Sequence, residues 1–289
     1  MPFLPHQTCG GLDNASRRHP TVNRAPRAIA LFLNLGVAAA ATGGSVLLNA
    51  STAAAQHHHH PAGLSQAAEG GEGGEGGEGG QSGQAASSRE EQLTVLEQMQ
   101  GHLLVAEELL KRGDVRGAEP HVSHPVDELY GSLEPAIRAG QLSPFRNSLD
   151  ALRQQVRLDP GAPATAQSLQ VARQAIQTAS QHLQANLISE PRLVLAIVRQ
   201  LALTAASEYE GAVDGTSIRE TIEYQDARGF LLQADHLLSQ AIHASPQSAK
   251  TLQAARARIA AMLQAFPTVQ PPQRAVLSVS ALERLAEGV

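Results

Sequence analysis

From Arg89 onward, apolar residues recur every three or four positions along most of the remaining chain. That is the period of an α-helix, and no segment alternates with the period of a strand. Ala, Leu, Gln, Glu and Arg dominate the same stretch, and all are good helix formers. Few folds remain open to such a chain. The pattern predicts an all-α fold: a single antiparallel helical bundle of six or seven helices.

Turn residues punctuate the pattern. The first helix is expected from about Ser88 to Arg112, with Leu93, Leu96, Met99, Leu103 and Leu110 along one side. Gly113-Asp114 closes it. A second runs from Arg116 to Ala139; Pro120 fits near its start, and Pro125 sits deep enough to kink or loosen it. Further helices are expected over Ser143–Leu158, Ala162–Leu187, Glu190–Val213, Tyr224–Ala244 and Ser245–Phe266. A short amphipathic stretch, Ser278–Ala286, lies in what reads as a C-terminal tail, residues 269–289. The bundle domain is therefore placed at 88–268.

The N-terminal region has a different character. Arg17, Arg18, Arg24 and Arg27 form a basic leader, followed by the apolar run AIALFLNLGVAAAATGGSVLL and small residues at Ala53 and Ala55. This reads as an export signal over 1–55, cleaved before Gln56, with Ser16-Arg17-Arg18 hinting at twin-arginine export. The competing reading is an uncleaved membrane anchor, since the apolar run is long enough to span a bilayer. Residues 56–87 read as a disordered linker, because a Gly-Gly-Glu repeat carries Glu69, Glu72, Glu75 and Glu78 with nothing to bury. His57 to His60 would open the mature chain and could capture metal.

Composition removes several function classes. The only cysteine, Cys9, lies in the leader, which excludes a disulfide framework, an iron–sulfur cluster and a Cys-based zinc site. Net charge is −5, with 22 basic against 27 acidic residues, so the footprint of a nucleic-acid binder is missing. Without Trp, and with aromatics at 3%, an aromatic-lined pocket is not expected. No phosphate loop, nucleophile elbow or His-Glu-x-x-His is present.

Chemistry concentrates in two places. In His121-Val-Ser-His124-Pro-Val-Asp127-Glu128, positions 121, 124 and 128 share one helical face and offer nitrogen and oxygen ligands suited to iron, zinc or copper. His102, on an apolar stripe of the first helix, falls opposite them across the Gly113-Asp114 hairpin. A structural role is the alternative for each histidine, as a core imidazole bonded to a carboxylate or carbonyl. The second place is the junction of the fifth and sixth helices, where Glu208, Tyr224 and Asp226 are oxygen donors able to complete a hard-metal shell. Helix-end polarity is the alternative there.

Two segments, Lys111–Arg138 with its Leu133-Glu134-Pro135, and Ala206–Phe230 with its Tyr224-Gln225-Asp226, resemble the imelysin-like superfamily, in particular its periplasmic EfeO-type iron-uptake branch. The resemblance implies an exported all-α protein that binds metal, iron above all. Some members were proposed as peptidases. The family's His-x-x-Glu does not occur here: His124 is followed at that spacing by Asp127, with Glu128 one further on.

The expectation is thus an exported or periplasmic bundle binding iron, copper or zinc through His102, His121, His124, Glu128, Glu208, Tyr224 and Asp226. Its role would be uptake, delivery or sequestration, with an envelope transporter or delivery protein as partner. No nucleic-acid partner and no stable membrane insertion after signal cleavage are expected. Non-covalent haem on His102 with His121 or His124 is a variant. A non-catalytic envelope scaffold with structural histidines is the alternative. Enzymatic activity, such as a metallopeptidase, is not expected.

Overall fold

The computed structural model describes residues 85–289. The export signal, the Gly-Gly-Glu repeat and His57–His60 lie outside the described residues. The rest is all-α, as the periodicity requires.

Helix α1 (Arg89–Lys111) is the central rod. Ser88 caps it, accepting from the Glu91 amide while the Glu91 side chain returns to the Ser88 amide, a reciprocal capping box. Gly113, at φ +75°, turns the chain after it. Asp114 then caps α2 (Val115–His124) by accepting from the Gly117 amide. At Pro125 the helix does not end. It opens into one π-helical turn over Pro125–Leu129 and resumes as α3 (Tyr130–Arg138). Proline has no N–H to give the preceding turn, and the wider turn takes up the mismatch, with the Tyr130 amide reaching the Pro125 carbonyl. The loosening expected at Pro125 takes this form. Helices α4 (Arg146–Leu158) and α5 (Pro163–Leu183) complete the N-terminal half.

The C-terminal half holds α6 (Pro191–Ala212), α7 (Thr221–Ala244), α8 (Ala249–Leu263) and α9 (Val279–Glu287). Pro191 begins α6, where a missing N–H is harmless. A two-residue hairpin, β1 (Val213–Asp214) and β2 (Ser217–Ile218), turns at Gly215 between α6 and α7.

Apolar side chains form two main clusters. One gathers Leu96, Met99 and Leu103 of α1 with α2 to α5; the other gathers α6 to α9 with Leu93. Helix α1 serves both, packing on α2 and α5 with one side and on α6 and α7 with another.

Both ends of the bundle extend beyond the expected limits. Ala86 is buried and its amide donates to the Ser132 carbonyl. The residues after 268, expected as a tail, are part of the core: fully buried Leu282 and Ala286 pack on the second cluster, and fully buried Val269 packs with Val105, Leu109 and Ala118. Two tyrosines tie that segment down: Tyr209 donates to the Leu277 carbonyl and Tyr224 to the Thr268 carbonyl. No helix among the described residues is long and apolar enough to cross a membrane.

Candidate metal centre

Where α1 and α2 meet α7, three imidazoles surround one carboxylate. His102 comes from α1, His121 and His124 from α2, and Asp226 from the second turn of α7. One ligand atom of each lies within 4.8 Å of every other. His102 Nδ1 stands 2.7 Å and His121 Nδ1 2.8 Å from Asp226 Oδ1, and His124 Nδ1 lies 3.3 Å from Oδ2. His121 is fully buried, His102 and Asp226 are nearly so, and only the His124 side chain keeps appreciable exposure, 18%.

The local sequence explains the convergence. His121 and His124 fall on one face of α2, a turn apart. His102 follows Gly101, and Asp226 precedes Gly229. At these two glycines α1 and α7 touch backbone to backbone, because neither carries a Cβ that would hold them apart. The π turn begins immediately after His124.

Gln225, which the sequence reading overlooked, orients the ring of His121. Its Nε2 donates to the Val269 carbonyl at 3.1 Å, so its Oε1 faces His121 Nε2 at 2.9 Å as an acceptor. His121 Nε2 must therefore carry the hydrogen. In a neutral imidazole the Nδ1 lone pair is then aimed at the Asp226 carboxylate, lone pair against lone pair. A proton or a metal ion has to lie between them. Ligating histidines are held in this way, with the second nitrogen donating to a fixed partner.

The other two rings fit the same description. Despite their short distances to Asp226, the buried Nδ1 atoms of His102 and His124 make no hydrogen bond of acceptable geometry. Three nitrogens and a carboxylate oxygen, two of the nitrogens unsatisfied, form a donor set that fits a divalent transition metal.

Electrostatics favours the ligating forms of His102 and Asp226, while His124 is drawn toward its charged form. Burial pushes the His102 pKa down, against the pull of Asp226. For Asp226, burial alone would raise the pKa, but His102 and His121 hold it well below the usual carboxylate range. Burial likewise opposes the charged form of His124, yet Asp226, Glu128 and Glu223 together carry its pKa above the ordinary value.

The remaining sequence candidates divide. Glu128 lies 3.6 Å from His124 Nε2, the nitrogen opposite the one facing Asp226, and is half exposed. It stands behind the ring, outside the four converging groups. Glu208 is buried near them, its pKa pushed well above the carboxylate range by burial and then by the charges of Asp226, Glu223 and Glu128. It stands beside the site and is not one of the four. Tyr224 is not at the site, since its hydroxyl is committed to the Thr268 carbonyl at 2.9 Å. The haem variant meets an obstacle: Asp226 Oδ1 is within hydrogen-bonding distance of both His102 and His121, where an iron ligated by that pair would have to lie.

Comparison with known proteins gives one match. Residues 184–289 match the family described as an iron permease-associated 4-helix bundle domain. That span covers α6 to α9 and supplies Asp226 and Gln225. All three histidines lie outside it. No curated protein and no solved structure matches the chain.

Proposed function

We propose that this protein is an exported carrier that binds iron at His102, His121, His124 and Asp226 and passes it to a membrane iron permease. The observation that carries the reading is the His121 ring, whose Nδ1 lone pair Gln225 aims at the Asp226 carboxylate. The relation of residues 184–289 to an iron permease-associated domain favours iron over copper or zinc. The reading keeps the likeness of segments 111–138 and 206–230 to EfeO-type proteins of the imelysin-like superfamily, and with it periplasmic location and removal of residues 1–55.

The buried groups divide the work. His102, His121 and Asp226 grip the ion. His124 faces the opening and is the ligand through which it arrives and leaves, with Glu128 and Glu223 drawing cations toward it. The ion is cargo on this account, and no side chain is assigned to bond cleavage; the protein acts as a binder and not as a metallopeptidase.

The test uses the chain without His57–His60, purified without a nickel column. Elemental analysis should find close to one equivalent of iron. Adding ferrous iron to the stripped protein at a hundredfold excess over Kd should stabilise it by ~2.7 kcal/mol. That corresponds to a rise of about 5–10 °C in Tm for a domain of this size. The rise should vanish in acid, because protonated imidazole does not ligate. A full rise in the His121→Ala/His124→Ala double variant would leave structural histidines in a scaffold protein as the better account.

A further inference from the structure

On the other side of α1 the two halves of the bundle leave a trough. Helices α5 and α7 form its walls, and α1 is its floor. It encloses about 870 Å³, within the range of small-molecule sites. Its lining is dominated by glutamine, with Gln100 on the floor, Gln177 and Gln181 on α5, and Gln233 and Gln240 on α7. At its base lies Glu97, whose side chain the metal centre does not use.

Glu97, when ionised, has no counter-charge beside it. It is 6% exposed, and burial pushes its carboxyl up to about 7. One oxygen accepts from Gln233 Nε2 at 2.5 Å and the other from the Ser180 hydroxyl at 3.3 Å. Two carboxylate oxygens can accept about four hydrogen bonds, so capacity remains. The Arg173 guanidinium faces elsewhere, held by Gln100 and Glu107, and His236 Nε2 accepts from the Gln240 amide. A buried carboxylate is costly to keep unless a cation joins it.

The walls define the rest of the ligand. A glutamine carboxamide carries N–H donors and a carbonyl acceptor that match the C=O and N–H of a peptide bond. No Phe, Tyr or Trp lines the trough, so the broad stacking surface that sugars and bases use is missing. We propose that the trough binds a linear, amide-bearing molecule with one ammonium group, a short extended peptide in its simplest form, its ammonium seated on Glu97. The α5 wall from Gln167 to Gln184 spans about 25 Å at ~1.5 Å per residue, room for roughly seven residues of extended chain.

The experiment is calorimetric titration of the full chain with pentaglycine and with N-acetyl-pentaglycine, which lacks the ammonium, at about pH 7.5, where Glu97 is mostly ionised and the peptide α-amino group mostly protonated. Wild type should bind the free amine at least about tenfold more tightly than the acetylated peptide, as for a desolvated charge pair. Glu97→Gln should erase that preference, while His121→Ala/His124→Ala should retain it, which separates this site from the metal centre. Equal affinity of wild type for the two peptides, or binding of neither at millimolar concentration, would overturn the proposal. The comparison of peptides on wild type stands even if Glu97→Gln fails to fold.

Discussion

Gly229 and Gly101 meet backbone to backbone: a Cβ on Gly229 would stand 2.5 Å from the Gly101 carbonyl oxygen, closer than real Cβ atoms come. This contact sets the distance between α1 and α7, and with it the distance from His102 to Asp226. Gly229→Ala must push the two helices apart. The change should destabilise by about 1–3 kcal/mol, the usual effect of overpacking, and weaken metal binding as well. Gly131 is the control, because nothing lies within 4 Å of a Cβ built there and Ala should stabilise α3 by up to ~1 kcal/mol. Thermal melts and metal titrations of the two variants check both statements.

Gln225 should matter to the metal although it is not one of the ligands. In Gln225→Leu the His121 ring loses the acceptor that fixes its tautomer. Metal affinity is expected to fall about 10–100-fold, as for other partners of ligating histidines. Competition titration against a chelator reads this directly. An unchanged affinity in the folded variant would remove Gln225 from the account of the site.

The buried acid Glu97 predicts a pH dependence of stability. Its pKa is about 7 when folded against the ordinary 4.5, so the folded chain holds a proton that the unfolded chain has already lost. Its contribution is fully present below about pH 4.5 and is lost as pH rises through about 7. The loss is about 3.5 kcal/mol at ~1.4 kcal/mol per pH unit. Glu97→Gln does not titrate. Its stability relative to wild type should therefore climb across that window and level off above it, as denaturant melts at a series of pH values would show.

The segment after 268 should be essential to the fold. Ending the chain at Thr268 would strip buried Val269, Leu282 and Ala286 from the core and leave the Gln225 amide without its acceptor. Burying a Val or Leu side chain is worth about 1.5–3 kcal/mol, so the loss would approach the ~5–15 kcal/mol that holds a typical domain together. Circular dichroism should show a broad transition or none. A sharp melt equal to that of the intact chain would mean that the segment is dispensable.

Much of this architecture could be read from spacing alone. Gly113-Asp114, Gly140, Pro160 and Pro191 mark real helix ends, because glycine and proline act through backbone geometry that tertiary packing does not change. His102, His121 and His124 were legible for the same reason: a hairpin about a known turn brings fixed positions together. Glu128 was misplaced because a spacing argument assumes a constant helical period. The π turn over Pro125–Leu129 breaks that period, and Pro125 was its visible signal. Tyr224 was misplaced because its partner is a carbonyl 44 residues away, in a segment with no strong pattern. Gln225 and Glu97 carried no signal, since a polar residue on a buried helix looks in sequence like any residue of an exposed face.

Helix α1 belongs to both apolar clusters, which fixes how the molecule comes apart. Once α1 leaves, the first cluster loses Leu96, Met99 and Leu103, and the faces of α6 and α7 that pack on α1 are laid open, so opening one half uncovers the other. The amides of α1 should then exchange with solvent only through global unfolding, and the two halves should behave as one cooperative unit. The segment 184–289, although it matches a domain family, should in this chain unfold together with the helices that precede it, because α6 and α7 pack on α1.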